Sequence, residues 1–154
     1  MREALKEAKK AYEKQEIPVG AVIVKEGKII ARAHNLKETK KLSIAHAEIL
    51  AIEKASKKLK TWRLNDCDMY VTLEPCTMCM GAIILARINN LYIGTLDEKT
   101  GACGSFVDLS SYKYNHTVNI KTGILKEDCE YILKDFFKIL RKSKKEEEIN
   151  DTNQ

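Results

Sequence analysis

The chain has 154 residues, of which 44% are hydrophobic and 32% are charged, and its formal net charge is +5. This length fits one domain with a real core, and the composition excludes a disordered or collagen-like chain. The longest apolar run, residues 82–86, is too short for a membrane span, and residues 1–14 show no secretory signal. A cytoplasmic protein with reduced cysteines is therefore expected.

Hydrophobic spacing predicts a helix and then a hairpin in the first part of the chain. Residues 2–15 carry apolar side chains at helical spacing, and residues 19–24 are β-branched and predict a strand. Glu26-Gly27 is a turn signal, so residues 29–33 are predicted to return as the second strand of the hairpin. The polar segment 37–42 is predicted to be a loop.

Helices and strands alternate in the middle of the chain. Residues 46–59 predict a helix, residues 69–73 a buried strand, and residues 75–87 a helix that Pro75 opens. Residues 91–95 predict the fourth strand, and a glycine-containing loop at residues 100–105 follows it.

The C-terminal part predicts a short strand at residues 118–120 and an amphipathic helix over residues 126–141. Residues 142–154 are expected to form a disordered charged tail, which leaves residues 1–141 as a single domain. A hairpin followed by alternating helices and strands predicts an α/β fold. We expect a three-layer α/β/α sandwich with a central mixed five-stranded sheet.

Two short segments, His46-Ala47-Glu48 and Pro75-Cys76-Thr77-Met78-Cys79, carry the candidate chemistry. Two cysteines three positions apart at the start of a helix can direct both sulfurs at one ion, and the helix dipole favours thiolates there. A dithiol redox site is the competing interpretation, but it would not need His46.

His46, Cys76 and Cys79 form a ligand set that suits zinc. Three protein ligands leave one tetrahedral position for water, whose pKa zinc lowers to about 7. A structural zinc site is the alternative, and it requires a fourth ligand. The candidates for that ligand are Cys67, Cys103, Cys129, His34 and His116.

Glu48 is the candidate general acid and base. It lies two residues from His46 at the same predicted helix entrance, where it can take a proton from water and deliver it to a substrate. An acidic residue that merely complements the helix dipole is the alternative for Glu48 alone. Beside a three-ligand zinc pattern, the catalytic interpretation is favoured.

The His-x-Glu and Pro-Cys-x-x-Cys motifs together resemble the signature of the zinc-dependent cytidine/deoxycytidylate deaminase superfamily. Beyond these motifs, the chain resembles the bacterial tRNA-specific adenosine deaminases from its N-terminal helix to about Arg141. The matching segments are residues 17–22, His34-Asn35, residues 45–48, residues 70–76, residues 97–101, Gly104-Ser105, Asn115-His116 and residues 135–137. Cys103 departs from the family pattern, in which alanine is expected in the glycine loop, and its thiol is expected to crowd the site or to compete for zinc.

The resemblance implies that His46, Cys76 and Cys79 hold one zinc ion per subunit and that Glu48 moves protons. It implies that the substrate is the wobble adenosine of a tRNA anticodon stem-loop, which is converted to inosine. A homodimer is implied too, and neither membrane nor DNA is expected as a partner. The implied substrate contacts are a hydrogen bond from Asn35 to the purine, packing by Val19 on its face, a backbone contact from Ala47, and Asp97 near the ribose–phosphate backbone.

The C-terminal helix offers candidate contacts to the RNA backbone. Two adjacent aromatic residues, Phe136 and Phe137, cannot share one helix face, so one is expected to be exposed for base stacking. Phe137, Lys138 and Arg141 are therefore the candidate RNA contacts, with ordinary core packing and helix capping as the alternatives.

Two alternative functions remain at this point. One is a small-molecule nucleobase deaminase that acts on guanine or cytosine, and the other is a non-catalytic zinc module that binds RNA. The net charge of +5 favours an RNA substrate over a free base. Glu48 argues against the non-catalytic module, because a structural zinc ion does not need that acid.

Overall fold

A five-stranded mixed sheet forms the centre of the protein, whose structure is a computed structural model that describes residues 1–152. The strand order is β2-β1-β3-β4-β5; β1 pairs antiparallel with β2 and β3, whereas β3, β4 and β5 run parallel. The strands are β1 (Gly20–Lys25), β2 (Lys28–His34), β3 (Cys67–Leu73), β4 (Asn90–Thr95) and β5 (Asn119–Lys121).

Two pairs of helices cover the two faces of the sheet. α1 packs with α5 on one face, and α3 packs with α4 on the other, so the predicted three-layer α/β/α fold is confirmed. None of the described helices is long and apolar enough to cross a membrane. The helices are α1 (Arg2–Glu13), α2 (Lys37–Lys40), α3 (Ala47–Leu59), α4 (Thr77–Leu85) and α5 (Lys126–Thr152).

The β1–β2 hairpin forms as predicted and closes through Glu26 and Gly27. Their φ angles of 51° and 74° are both left-handed, as a two-residue hairpin turn with the twist of the strands requires. At the other end of the hairpin, Gly20 lies directly against α1. A Cβ atom there would be 1.9 Å from the carbonyl oxygen of Ala4, so only glycine permits this approach.

The segment 37–42 differs from the prediction, because its first residues form the short helix α2 instead of a loop. The cause is a distant side chain. The buried carboxylate of Glu16 accepts hydrogen bonds from the main-chain N–H groups of Glu38 (2.7 Å) and Thr39 (3.3 Å). These bonds satisfy donors that a helix N-terminus leaves without intrahelical partners.

The helix predicted over residues 75–87 is shorter at both ends. Cys76 is extended (ψ 175°) because it forms a β-bridge with Gly101, so α4 begins at Thr77. At the other end Arg87 adopts φ 67°, and the N–H of Ile88 bonds back to the oxygen of Ile83, which terminates the helix.

The C-terminal helix extends beyond the predicted bound. α5 continues past Arg141 to Thr152, where a disordered tail was expected, and the last two residues of that predicted tail lie outside the described residues. The segment lacks glycine and proline and is rich in lysine and glutamate, which have good helix propensity. The boundary of the domain at residue 141 stays a prediction.

Candidate functional site

A pocket of about 270 Å³ opens at one end of the sheet and contains most of the predicted site. A larger groove between α1 and α5 contains none of the predicted ligands. The pocket is lined by Ile17, Val19, Asn35, Lys37, His46, Ala47, Glu48, Leu73, Glu74, Cys76, Asp97 and Thr100.

The N-termini of α3 and α4 converge at this pocket. His46 is the N-cap residue of α3 and Cys76 is the N-cap residue of α4, so both have extended backbones just before the first helical turn. His46 was predicted to be inside its helix, and it precedes that helix by one residue. The positive ends of two helix dipoles favour negative charge, and therefore thiolates, at this point.

His46, Cys76 and Cys79 lie together as one cluster. Their potential ligand atoms are all within 4.8 Å of one another, and no fourth member joins this group in the part of the chain that the structure describes. His46 Nδ1 is 3.7 Å from Cys76 Sγ and 3.5 Å from Cys79 Sγ. A tetrahedral zinc ion with ordinary bond lengths separates sulfur and nitrogen ligands by about 3.6 Å. Both the donor set and its spacing therefore fit zinc.

The alternative fourth ligands are engaged elsewhere. Cys67 and Cys129 are buried in the core, and His34 Nδ1 is 2.7 Å from the Glu7 carboxylate. His116 Nε2 donates to the oxygen of Ile88 at 2.6 Å. A structural zinc site with four protein ligands is thus not supported among residues 1–152.

Cys103 is half-buried in the glycine loop, and it does not join the cluster. Its sulfur is 3.4 Å from the Met80 sulfur on α4. Burial, and then the negative charge of Glu74, raise the pKa of Cys103 to about 12. The position of its sulfur outside the group of mutually close ligand atoms excludes Cys103 from the cluster.

Glu48 is buried within the pocket next to the cluster. Its Oε2 accepts a hydrogen bond from the Cys79 thiol at 3.1 Å, and only 4% of the residue is exposed. Burial raises the pKa of Glu48 above the ordinary glutamate range. A carboxyl group with a raised pKa can both accept and return a proton near neutral pH.

The two thiols of the cluster have unequal acidity. A hydrogen bond from Cys79, and then one from His46, lower the pKa of Cys76 to about 4. The pKa of Cys79 is raised, first by its hydrogen bond to Cys76 and second by burial. Cys76 is thus the more acidic of the two thiols.

The predicted base-contacting residues Val19, Asn35 and Ala47 all line the pocket. The Asn35 side chain is held by two backbone groups: its amide donates to the oxygen of Ile17 (3.3 Å), and its oxygen accepts from the N–H of Lys37 (3.2 Å). An asparagine amide has two donors and two acceptor positions, so one of each remains for a base.

Asp97 also lines the pocket, although its carboxylate is used within its own turn. It accepts from the N–H of Lys99 at 3.0 Å and from the Thr100 hydroxyl at 2.7 Å. Lys37 and Glu74 line the pocket as well, and the sequence analysis did not identify them. The position of Lys37 depends on α2, which is held by Glu16 from outside the motifs.

Phe137, Lys138 and Arg141 are exposed on α5, and they do not line the pocket. Phe136, in contrast, is buried and packs against Tyr12 near the C-terminal end of α1, with ring centroids 5.6 Å apart. The expectation that one of the adjacent aromatics is exposed is confirmed.

Known proteins resemble this chain over most of its length. A family described as MafB19-like deaminase matches residues 1–141. A tRNA-specific adenosine deaminase of Bacillus subtilis (strain 168) is 52% identical over 146 residues, which cover 94% of this chain and 91% of the relative.

Two solved structures extend the comparison. One, from work on A-to-I editing by tRNA:A34 deaminases at the wobble position of transfer RNA, matches with a TM-score of 0.80 and 42% identity over 86% of this chain and 97% of that one. A guanine deaminase of Nitrosomonas europaea matches with a TM-score of 0.72 and 25% identity over 86% and 80% of the two chains. The similarity is thus greater to the tRNA enzyme than to this free-base enzyme.

Proposed function

The chain belongs to the bacterial tRNA adenosine deaminases of the zinc-dependent deaminase superfamily, and from this membership we infer that it converts the wobble adenosine of a tRNA anticodon loop to inosine. The reaction is hydrolytic: water adds to C6 of adenine, the bond between C6 and the amino nitrogen breaks, and ammonia leaves. The observation that carries this function is the convergence of Glu48 with His46, Cys76 and Cys79 in one pocket.

We propose that the three clustered side chains hold a zinc ion. The fit of their spacing and donor types to a tetrahedral ion supports this assignment. When bound, zinc supplies acidified water for attack on the base. Two thiolates and a neutral imidazole balance the charge of the ion, so a separate proton donor is required for the leaving amine.

We assign this proton transfer to Glu48. Its carboxylate takes a proton from the attacking water and passes it to the ring nitrogen of the purine. It then takes the proton of the hydroxyl group newly bound to C6 and gives it to the amino group, which leaves as ammonia while C6 becomes a carbonyl. The raised pKa and burial of Glu48 support the assignment, because both favour the protonated form needed for donation.

Asn35, Val19 and Ala47 are proposed to bind the adenine. The free donor and acceptor positions of Asn35 suit a purine edge, Val19 offers an apolar contact to the ring, and the Ala47 backbone lies beside both. We propose that Asp97, which also lines the pocket, faces the ribose–phosphate backbone.

The substrate class is tested with an anticodon stem-loop that carries a wobble adenosine, assayed beside free adenosine, cytidine and guanine. We expect inosine from the stem-loop alone, because a hairpin loop presents a base that needs little energy to unstack. The product is identified by liquid chromatography of the digested RNA. Turnover of guanine or cytidine in place of the stem-loop would show that the small-molecule alternative is correct.

Lys138, Arg141 and Phe137 are proposed to contact the RNA backbone and a loop base outside the pocket. We expect Lys138→Ala with Arg141→Ala to reduce the slope of log binding constant against log salt concentration by about 0.7 per lost contact with a single strand. Fluorescence anisotropy of a labelled stem-loop over a salt series measures the slope. Lys28→Ala, at the start of β2 and at the opposite end of the sheet from the pocket, is the control for the loss of one positive charge. Equal slopes for the wild type, the double variant and Lys28→Ala would show that Lys138 and Arg141 do not contact the RNA backbone.

We further propose that the protein acts as a homodimer in the cytoplasm. Large apolar side chains are exposed on α4 (Leu85) and on the segment that packs against it (Phe106 and Tyr112), which is the kind of surface that a partner subunit covers. The five cysteines, all within the described part of the chain, are unpaired, which agrees with a reducing compartment.

A further inference from the structure

Glu74 is a second buried acidic residue at the pocket. It has no role in the proton transfers that are assigned to Glu48. It follows the last residue of β3 directly, and only 2% of it is exposed. A buried carboxylate is costly unless its oxygens are paired, so its partners indicate what it does.

The hydrogen-bond donors to the Glu74 side chain all lie in one loop, residues 97–105, which we term the rim loop. Oε2 accepts from the main-chain N–H of Asp97 at 2.9 Å and from the Ser105 hydroxyl. Oε1 accepts from the main-chain N–H groups of Cys103 at 3.0 Å and Ser105 at 3.2 Å. One carboxylate thus joins both ends of the rim loop.

The rim loop closes tightly around this carboxylate. A Cβ atom at Gly101 would lie 2.3 Å from Glu74 Oε2 and 2.5 Å from the oxygen of Asp97. Only glycine therefore lets the loop backbone pass so close to the carboxylate. The N–H of Gly101 also bonds to the oxygen of Asp97 at 2.8 Å, which holds the turn in place.

The same loop connects the metal ligands to the substrate side of the pocket. Gly101 forms a β-bridge with Cys76, and the N–H of Ala102 donates to the oxygen of Pro75 at 2.8 Å. Asp97 and Thr100, from the same loop, line the pocket. The hydrogen bonds to Glu74 therefore help to fix the position of Asp97 and Thr100 relative to the metal ligand Cys76.

We propose that Glu74 is a positioning residue for RNA binding, which holds the rim loop at the distance from the metal ligands that the anticodon loop requires. The proposal rests on the function inferred above. Every partner group is a hydrogen-bond donor. Both terminal atoms of the residue-74 side chain must therefore be acceptors if all the donors of the loop are to be paired. A glutamine would turn an NH₂ group towards at least one N–H donor and release part of the loop.

The test is Glu74→Gln assayed under steady-state conditions on the anticodon stem-loop. We expect KM to rise roughly tenfold or more, kcat to stay within about threefold, and the zinc content per chain to be unchanged, because binding is altered while the reacting groups keep their places. Glu98→Gln is the matched control: it removes the same charge from the same loop, but its side chain is exposed. The control is expected to behave as the wild type.

Two further variants change rim-loop residues that contact the Glu74 carboxylate. Gly101→Ala places a methyl group against the Glu74 carboxylate and should raise KM in the same way, whereas Ser105→Ala removes one hydrogen-bonding hydroxyl and should raise KM only a few-fold. If Glu74→Gln does not fold, the graded effects of these two variants decide the question.

Values of KM and kcat for Glu74→Gln that match those of Glu98→Gln would overturn the proposal. A fall in kcat and zinc content without a change in KM would overturn it too, because it would indicate a role in the metal site alone. Wild-type protein that leaves the stem-loop unchanged would instead contradict the function from which the proposal starts.

Discussion

Replacement of Glu48 by glutamine is expected to reduce kcat by at least about a thousandfold, within the range that general acid–base catalysis contributes. Glutamine has nearly the same shape, but it can neither accept the proton of the attacking water nor donate one to the leaving amine. The measurement is single-turnover conversion of the stem-loop adenosine to inosine.

Zinc content separates this loss from damage to the site. Glu48 is not in the three-ligand cluster, so the variant is expected to retain the metal content of the wild type. Glu53→Gln provides the matched control, since Glu53 is on the same helix but is exposed and paired with Lys57 at 2.8 Å. A Glu48→Gln protein that keeps more than a tenth of the wild-type rate would show that another group moves the proton.

The second large effect is expected from Cys79→Ser, which should lower zinc affinity by about a hundredfold or more and abolish deamination. The hydroxyl is a poor substitute for a thiolate ligand. Metal content is measured by atomic absorption after gel filtration. Cys103→Ser is the control, because it makes the same replacement at a cysteine that lies outside the cluster.

Proton release provides an independent measure of the same site. Because the metal-free protein holds Cys79 as a thiol with a raised pKa, zinc binding must displace that proton. Addition of zinc to the metal-free wild type should therefore acidify a weakly buffered solution, and the affinity for zinc should fall as the pH falls. Release of the same number of protons by Cys79→Ser would contradict this assignment.

The strands and the main helices were predictable because their signals are local. The β-branched residues before Glu26-Gly27 predict the hairpin. The alternation of helices and strands after the hairpin predicts the three-layer α/β/α fold. The grouping of His46, Cys76 and Cys79 was predictable too, since residue type and spacing together suggest one ion.

What could not be predicted depends on side chains that act over long distances. Glu16 creates α2, and Glu74 organises the rim loop, yet each appears in the sequence as an ordinary acid outside any catalytic motif. The late start of α4 likewise depends on the bridge between Cys76 and Gly101, which no helix propensity encodes. Such contacts become visible only when the distant partners are in place.

The place of α5 at the end of the chain has a consequence for biosynthesis. The cluster, Glu48 and the rim loop all lie before residue 106, whereas α5 begins at Lys126. A ribosome has therefore made every group of the chemical centre before it reaches the helix assigned to RNA contact. A message broken before that helix would still encode the complete set of reacting groups, but it would lack both the part proposed to contact the nucleic acid and one helix that covers the sheet.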